Sequence, residues 1–147
     1  RAKDAPIGTW IKKTGANRGH NWVIHKPERR SILHAFVDVN YWKSQLHDAL
    51  SLPAEHSRAV TLYAESLSHH QLFADHLAAE RAVKVEAKGR IVDEWELPSS
   101  KPDNHFFDNL THCMAAASMC GIRRADANGT VNRKPIPASR RVQQLKI

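Results

Sequence analysis

No run of about 18 apolar residues occurs anywhere in the chain, and no charged-then-apolar leader opens it. The sequence therefore offers neither a membrane span nor a secretion signal. Cysteine is scarce: Cys113 and Cys120 are the 2 present among 147 residues, too few for a disulfide framework. Seven positions apart in one expected helix, they stand about 10 Å from each other at a rise of 1.5 Å per residue. That is too far for a bond between them, so reduced cytosolic thiols are expected. The phosphate-cradling G-x-x-x-x-G-K-[ST], the dinucleotide G-x-G-x-x-G and the nucleophile elbow G-x-S-x-G are all missing. A closely spaced Cys pair is missing too, which weakens a zinc site built from His105, His112, Cys113 and Cys120.

What is present suits one soluble globular domain, with 41% hydrophobic and 25% charged residues. The first residue is Arg1, so a piece of a longer protein or a processed product is expected. The net charge of +7 is unevenly spread. Between Ile122 and Ile147 lie Arg123, Arg124, Arg133, Lys134, Arg140, Arg141 and Lys146 against a single acid, Asp126. The rest of the chain is close to neutral. Residues 1–121 thus read as an α/β domain and residues 122–147 as a basic, flexible tail. Such a tail is either an arm for nucleic acid or an acidic partner, or a solvated end.

Along the chain, Arg1–Arg30 is irregular, punctuated by Pro6, Gly8, Gly15, Gly19 and Pro27, with one short apolar run at Asn21–Ile24. Ser31–Val39 is nearly continuously apolar, the pattern of a strand covered on both faces. Asn40 can cap a following helix whose stripe is Trp42, Leu46 and Leu50. Ala59–Tyr63 reads as a second short strand. Ser68 with Gln71 reads as a capping box for a helix that buries Leu72, Phe73, His76 and Leu77. Ala82–Glu86 and Arg90–Leu97 flank Lys88-Gly89 as a hairpin. Pro98–Pro102 is a loop, Asp103 an N-cap, and Asn104–Cys120 a helix ending at Gly121. In that helix Cys113 and Cys120 would line the packed face with Met114 and Ala117. The order predicts α/β with a mixed sheet.

Two places concentrate chemistry. Asp38 stands near the end of the apolar strand, just before a helix, where open α/β sheets place their sites. Burying its carboxylate unpaired is expensive. Either it caps the next helix or pairs with Lys43, or a metal ion neutralises it. The second place is P-D-N-H-F-F-D-N (102–109). His105 and Asp108, three apart, share one helical face and offer a nitrogen and a carboxylate to one point. Oxygen-rich ligands suit Mg²⁺ or Mn²⁺, and two such ions can clamp a phosphodiester during cleavage. The bland alternative leaves Asp103 as the cap, with Asp108 and His105 at the surface. Trp10, in a basic stretch, is the aromatic best placed for a nucleic-acid contact.

Four ordered segments carry a resemblance: V-D-V-N-Y-W-K (37–43), F-A-D-H-L-A-A-E (73–80), G-R-I-V-D-E-W (89–95) and P-D-N-H-F-F-D-N-L-T-H-C-M-A-A-A-S-M-C-G (102–121). Val37–Gly121 resembles the nuclease domain of the lambda-type phage terminase large subunit. The resemblance implies a ribonuclease H-like fold, a mixed sheet flanked by helices, that binds Mg²⁺ or Mn²⁺ on clustered acids and cuts double-stranded DNA. By position Asp38 is similar to the second acid of that fold, and Asp108, with His105 beside it, to the last. Lys43 falls on the family's lysine, facing DNA phosphate. The first-strand acid has no counterpart, since Asp4 in R-A-K-D-A-P lacks strand character, and the ATPase motor is absent. The chain thus resembles the later part of the domain, incomplete at its N-terminus. Implied partners are DNA, the small terminase subunit and the portal of the procapsid, in the host cytoplasm. The basic tail, through Arg123, Arg124, Arg133, Lys134, Arg140 and Arg141, is placed to bind DNA or the portal. A non-catalytic DNA-binding or portal-docking fragment is the alternative reading.

Overall fold

A computed structural model of the chain describes residues 17–29, 31–63, 66–100 and 103–122. Trp10, Asp4 and the basic residues of 123–147 lie outside the described residues. The fold is mixed α/β: two small antiparallel sheets and three helices among the described residues. None of these helices is long and apolar enough to cross a membrane.

The first sheet is a meander of β1 (Asn17–Gly19), β2 (Trp22–His25) and β3 (His34–Val37) in that order. Gly19 pairs with Trp22 across a two-residue turn, with Asn21 at φ +54°. The Trp22 indole lies over Gly19 so closely that a Cβ there would fall 2.0 Å from the ring. Only glycine allows this approach. Trp22 pairs in turn with Val37, and with Ile24 these residues face the helices. There Trp22, Trp42 and Ala115 form a buried cluster with Tyr41, Met114 and Met119 against it. The indole N–H of Trp22 donates to Ser118 Oγ at 3.0 Å, so the ring is buried without losing its polar partner.

Helix α1 (Val39–Ser51) follows β3 at once. Its N-cap is Asp38, extended at φ −79°, whose carboxylate accepts from the Tyr41 N–H at 3.2 Å. Trp42, Lys43, Leu46 and Ala49 form its buried face. Helix α2 (Leu67–Leu77) leads into the hairpin of β4 (Arg81–Ala87) and β5 (Arg90–Glu96). Lys88 and Gly89 both have positive φ, as a tight two-residue turn with right-handed strand twist demands. Helix α3 (His105–Met119) buries Phe107, Thr111 and Ala115, one residue per turn on one face. It ends in a Schellman motif, with Gly121 at φ +76°. The Ile122 N–H reaches Ala117 O at 2.9 Å and the Gly121 N–H reaches Ser118 O at 3.0 Å.

Helix α1 packs on α3 and on β5, and α2 packs on α3. The contact of β5 with α1 is partly polar. Asn40 Oδ1 accepts from the Trp95 backbone at 3.2 Å, and Ser44 Oγ, one turn on, accepts from the Trp95 indole at 3.0 Å.

Several expectations are corrected. The strands form two separate antiparallel sheets rather than one mixed sheet. Ser31–Val39 is not a doubly covered strand: β3 is short and pairs with β2 alone, at the sheet edge, and Ile32 and Leu33 are exposed. Ala59–Tyr63 forms no strand, since it meets no partner strand among the described residues; Val60 instead bonds to Ala49 O near the end of α1. Asp38 rather than Asn40 caps α1, since the amide of Asn40 serves β5. Ser66, not Ser68, is the N-cap of α2, and Gln71 reaches forward to Asp75. Leu72 is exposed, while His76 takes the buried place on that helix. Asn104 rather than Asp103 is the N-cap of α3, and both cysteines are exposed rather than packed.

Candidate active site

Three chain segments meet around one ammonium group. Lys43 lies on the buried face of α1, Glu80 just after α2, and Asp108 in the first turn of α3. Lys43 Nζ donates to Glu80 Oε1 and stands 2.8 Å from Asp108 Oδ1. Their side chains are 8%, 2% and 38% exposed, so the group is closed on the Glu80 side and open on the Asp108 side. The Lys43 ammonium also lies over the ring of Phe107, 5.4 Å from the ring centre. Packing and charge therefore hold it together.

Glu80 is further tied by the Asn104 side-chain amide, which donates to the same Oε1. Asn104 thus closes the start of α3 with no side-chain cap bond, while its Nδ2 ties the helix start to the buried carboxylate. The second oxygen, Glu80 Oε2, is buried with no hydrogen-bond partner.

His105, on the same turn as Asp108, points to a more open place. Its Nε2 lies 3.5 Å from Asp103 Oδ2, and both side chains are largely exposed. Behind it stands the buried His76 ring, 5.9 Å away edge to face, packed at 4.9 Å on Phe106. Thus His105 and Asp108 share a turn but differ in partners: Asp103 for one, Lys43 and Glu80 for the other.

Asp38 lies elsewhere. It is a buried cap at the start of α1 and lines a cleft of about 340 Å³ together with Asn40, Ser44, Lys84 and Asp93. In that cleft Ser44 donates to Asp93 Oδ2 at 3.1 Å, and Lys84 Nζ reaches Asp93 Oδ1 at 2.5 Å. The Lys84 ammonium, helped by the Ser44 hydroxyl, holds the Asp93 carboxyl below the usual range, against an opposing push from partial burial. Asp38, His105 and Asp108 are not gathered at one point. Among the described residues no three His, Cys, Asp or Glu side chains are grouped to hold one metal ion.

Sequence reasoning missed Glu80 and Asn104 as members of this cluster. Glu80 was visible at the end of the F-A-D-H-L-A-A-E segment, but nothing local marks it as buried. Lys43 was visible as a cation after Asp38, though its inward direction follows from the helical register: it lies one position after Trp42 and three before Leu46, on the face that packs against α3.

Residues 8–127 match the family described as terminase large subunit gpA, endonuclease domain. No curated protein and no solved structure matches the chain.

Proposed function

Since the chain belongs to the terminase large subunit gpA endonuclease domain family, we propose that it carries part of a metal-dependent centre that cuts double-stranded DNA for packaging. The observation that supports this most is the half-exposed Asp108 carboxylate at the start of α3, held beside the buried Lys43 and Glu80. Helices α1 and α3 fix the directions of Lys43 and Asp108, and Glu80 is held just after α2 by its bonds to Lys43 and Asn104.

Two carboxylates at one point fit a hard divalent ion, which takes one or two protein oxygens, keeps waters and accepts phosphate oxygens as further ligands. When bound, Mg²⁺ or Mn²⁺ supplies an activated water and neutralises charge on the phosphodiester. Asp108 offers the accessible carboxylate. His105, one turn from it and exposed, is a second ligand or a carrier of the proton leaving the water. Asp38, buried at the start of α1 and lining a separate cleft, enters this reading only as the second acid that the family resemblance implies, and Lys43 as the cation for a DNA phosphate. The ribonuclease H-like assignment belongs to the same proposal, supported by an acid at the start of the last described helix. The small terminase subunit and the portal as partners, the basic tail as their arm or DNA's, and the host cytoplasm as the setting are its wider consequences.

The test is plasmid cleavage in MnCl₂ by the full chain and by Asp108→Ala, Asp38→Ala and His105→Ala. Loss of Asp108 is expected to slow cleavage by roughly two orders of magnitude, about 3 kcal/mol of transition-state stabilisation. Equal rates for the parent and Asp108→Ala would remove Asp108 from the centre. A parent chain that binds DNA without cutting it would favour the non-catalytic docking alternative.

A further inference from the structure

Glu80 carries the orphaned atom of the cluster around Lys43. Its side chain is 2% exposed, and Oε2 is buried without a partner. An acceptor left open in a buried place is rare, because it gives up its bonds to water without replacement. The other oxygen, Oε1, is claimed twice, by Lys43 and by Asn104. A doubly bonded Oε1 beside an unbonded Oε2 leaves the carboxylate with capacity for one more cationic partner. Across the ammonium from Glu80, Asp108 Oδ1 stands 2.8 Å from Lys43 Nζ, and Asp108 opens to solvent.

We infer that Glu80 and Asp108 form a cation-binding pair whose resident counter-ion is Lys43, and that a divalent ion entering the pair displaces the Lys43 ammonium. The inference rests on the nuclease reading and deepens it, by assigning Glu80 as the partner of Asp108 and Lys43 as the group that gives way. An ammonium and a divalent ion compete for the same carboxylate oxygens, and two cations at that spacing repel strongly away from bulk water. Without the ion, Lys43 keeps the two carboxylates from repelling each other and holds them in place. Its flexible four-carbon stem lets the head swing to the open, Asp108 side. The released ammonium is then free for an incoming phosphate.

Two measurements on the full chain test this. In the unsubstituted protein, Lys43 is modified by an amine-acetylating reagent and quantified by peptide mass spectrometry, with the exposed Lys84 as reference. Acetylation of Lys43 is expected to rise several-fold on adding MnCl₂. In calorimetric titrations with MnCl₂, Lys43→Met is expected to bind about tenfold tighter, a coupling of ordinary size between two ligands of one site. Glu80→Gln and Asp108→Asn are expected to lose binding, with circular dichroism confirming that each variant is folded. The acetylation arm needs no substitution, so it decides the matter even where Lys43→Met does not fold. Unchanged protection of Lys43 at saturating Mn²⁺, or Glu80→Gln binding Mn²⁺ like the parent, overturns the inference. If only Asp108→Asn loses Mn²⁺, the nuclease reading of Asp108 stands and the exchange falls. If no variant changes Mn²⁺ binding, both fall.

Discussion

Two lysine–carboxylate contacts beside α1 look alike on distance and differ in burial. Lys43 meets Asp108 at 2.8 Å and Glu80 as well, and Lys84 meets Asp93 at 2.5 Å. Lys43 is 8% exposed and Lys84 is 74% exposed. At the Lys43–Glu80 contact water is excluded, so each of these two charges depends on its partner. In the second, solvent screens the pair and competes for it. Separation alone therefore says little about what a pair contributes; burial decides whether removing one member leaves an orphaned charge.

The sharpest way to break this comparison is to remove the two lysines in turn. Lys43→Met is expected to lower stability by about 3–5 kcal/mol in urea unfolding, because Glu80 is left charged and buried. Replacing both members, as Lys43→Met with Glu80→Leu, is expected to recover much of that loss, since no buried charge then lacks a partner. A double variant as unstable as Lys43→Met alone would place the cost in packing around Phe107 instead. Ser44→Ala comes next in size. It removes the hydroxyl that accepts from Trp95 and donates to Asp93, and about 1–2 kcal/mol is expected. Lys84→Ala is expected to change stability by less than about 1 kcal/mol.

Acid separates the two regions further. The folded-state pKa of Asp93 lies below its ordinary 3.8. The contribution of Asp93 to stability is therefore fully present above that value and fades as pH falls through the lowered one. Lys84→Ala removes the main cause of the shift and is expected to flatten the loss of stability below pH 3.8. Parallel acid-unfolding curves for the two proteins would show that Lys84 does not set the Asp93 titration.

How far the sequence could be read follows the same division between local and distant causes. The Lys88-Gly89 hairpin turn and the Gly121 helix end were legible because positive φ is demanded by a few adjacent residues. The family was legible too, from four ordered segments that end in the α3 block, and the match over residues 8–127 bears it out. Ala59–Tyr63 misled, since A-V-T-L-Y has the composition of a strand while strand formation needs a neighbour to pair with. Ser31–Val39 misled in the same manner: apolar continuity suggested two covered faces, and only β2 and the helices lie against it. The hidden part of the candidate site is Glu80. Its burial is created where α2, α3 and α1 converge, and its partners Lys43 and Asn104 lie 37 and 24 residues away. No local pattern reports such a meeting.

The central claim is that the acids around Lys43, and not a separate surface group, receive the divalent ion. It is tested most directly by crystals of the full chain grown in MnCl₂, with diffraction recorded so that manganese is identified by its anomalous signal. A peak is expected between the carboxylates of Glu80 and Asp108, with the Lys43 ammonium moved out of that space. A manganese peak elsewhere, with Lys43 still bonded to both acids, would contradict it.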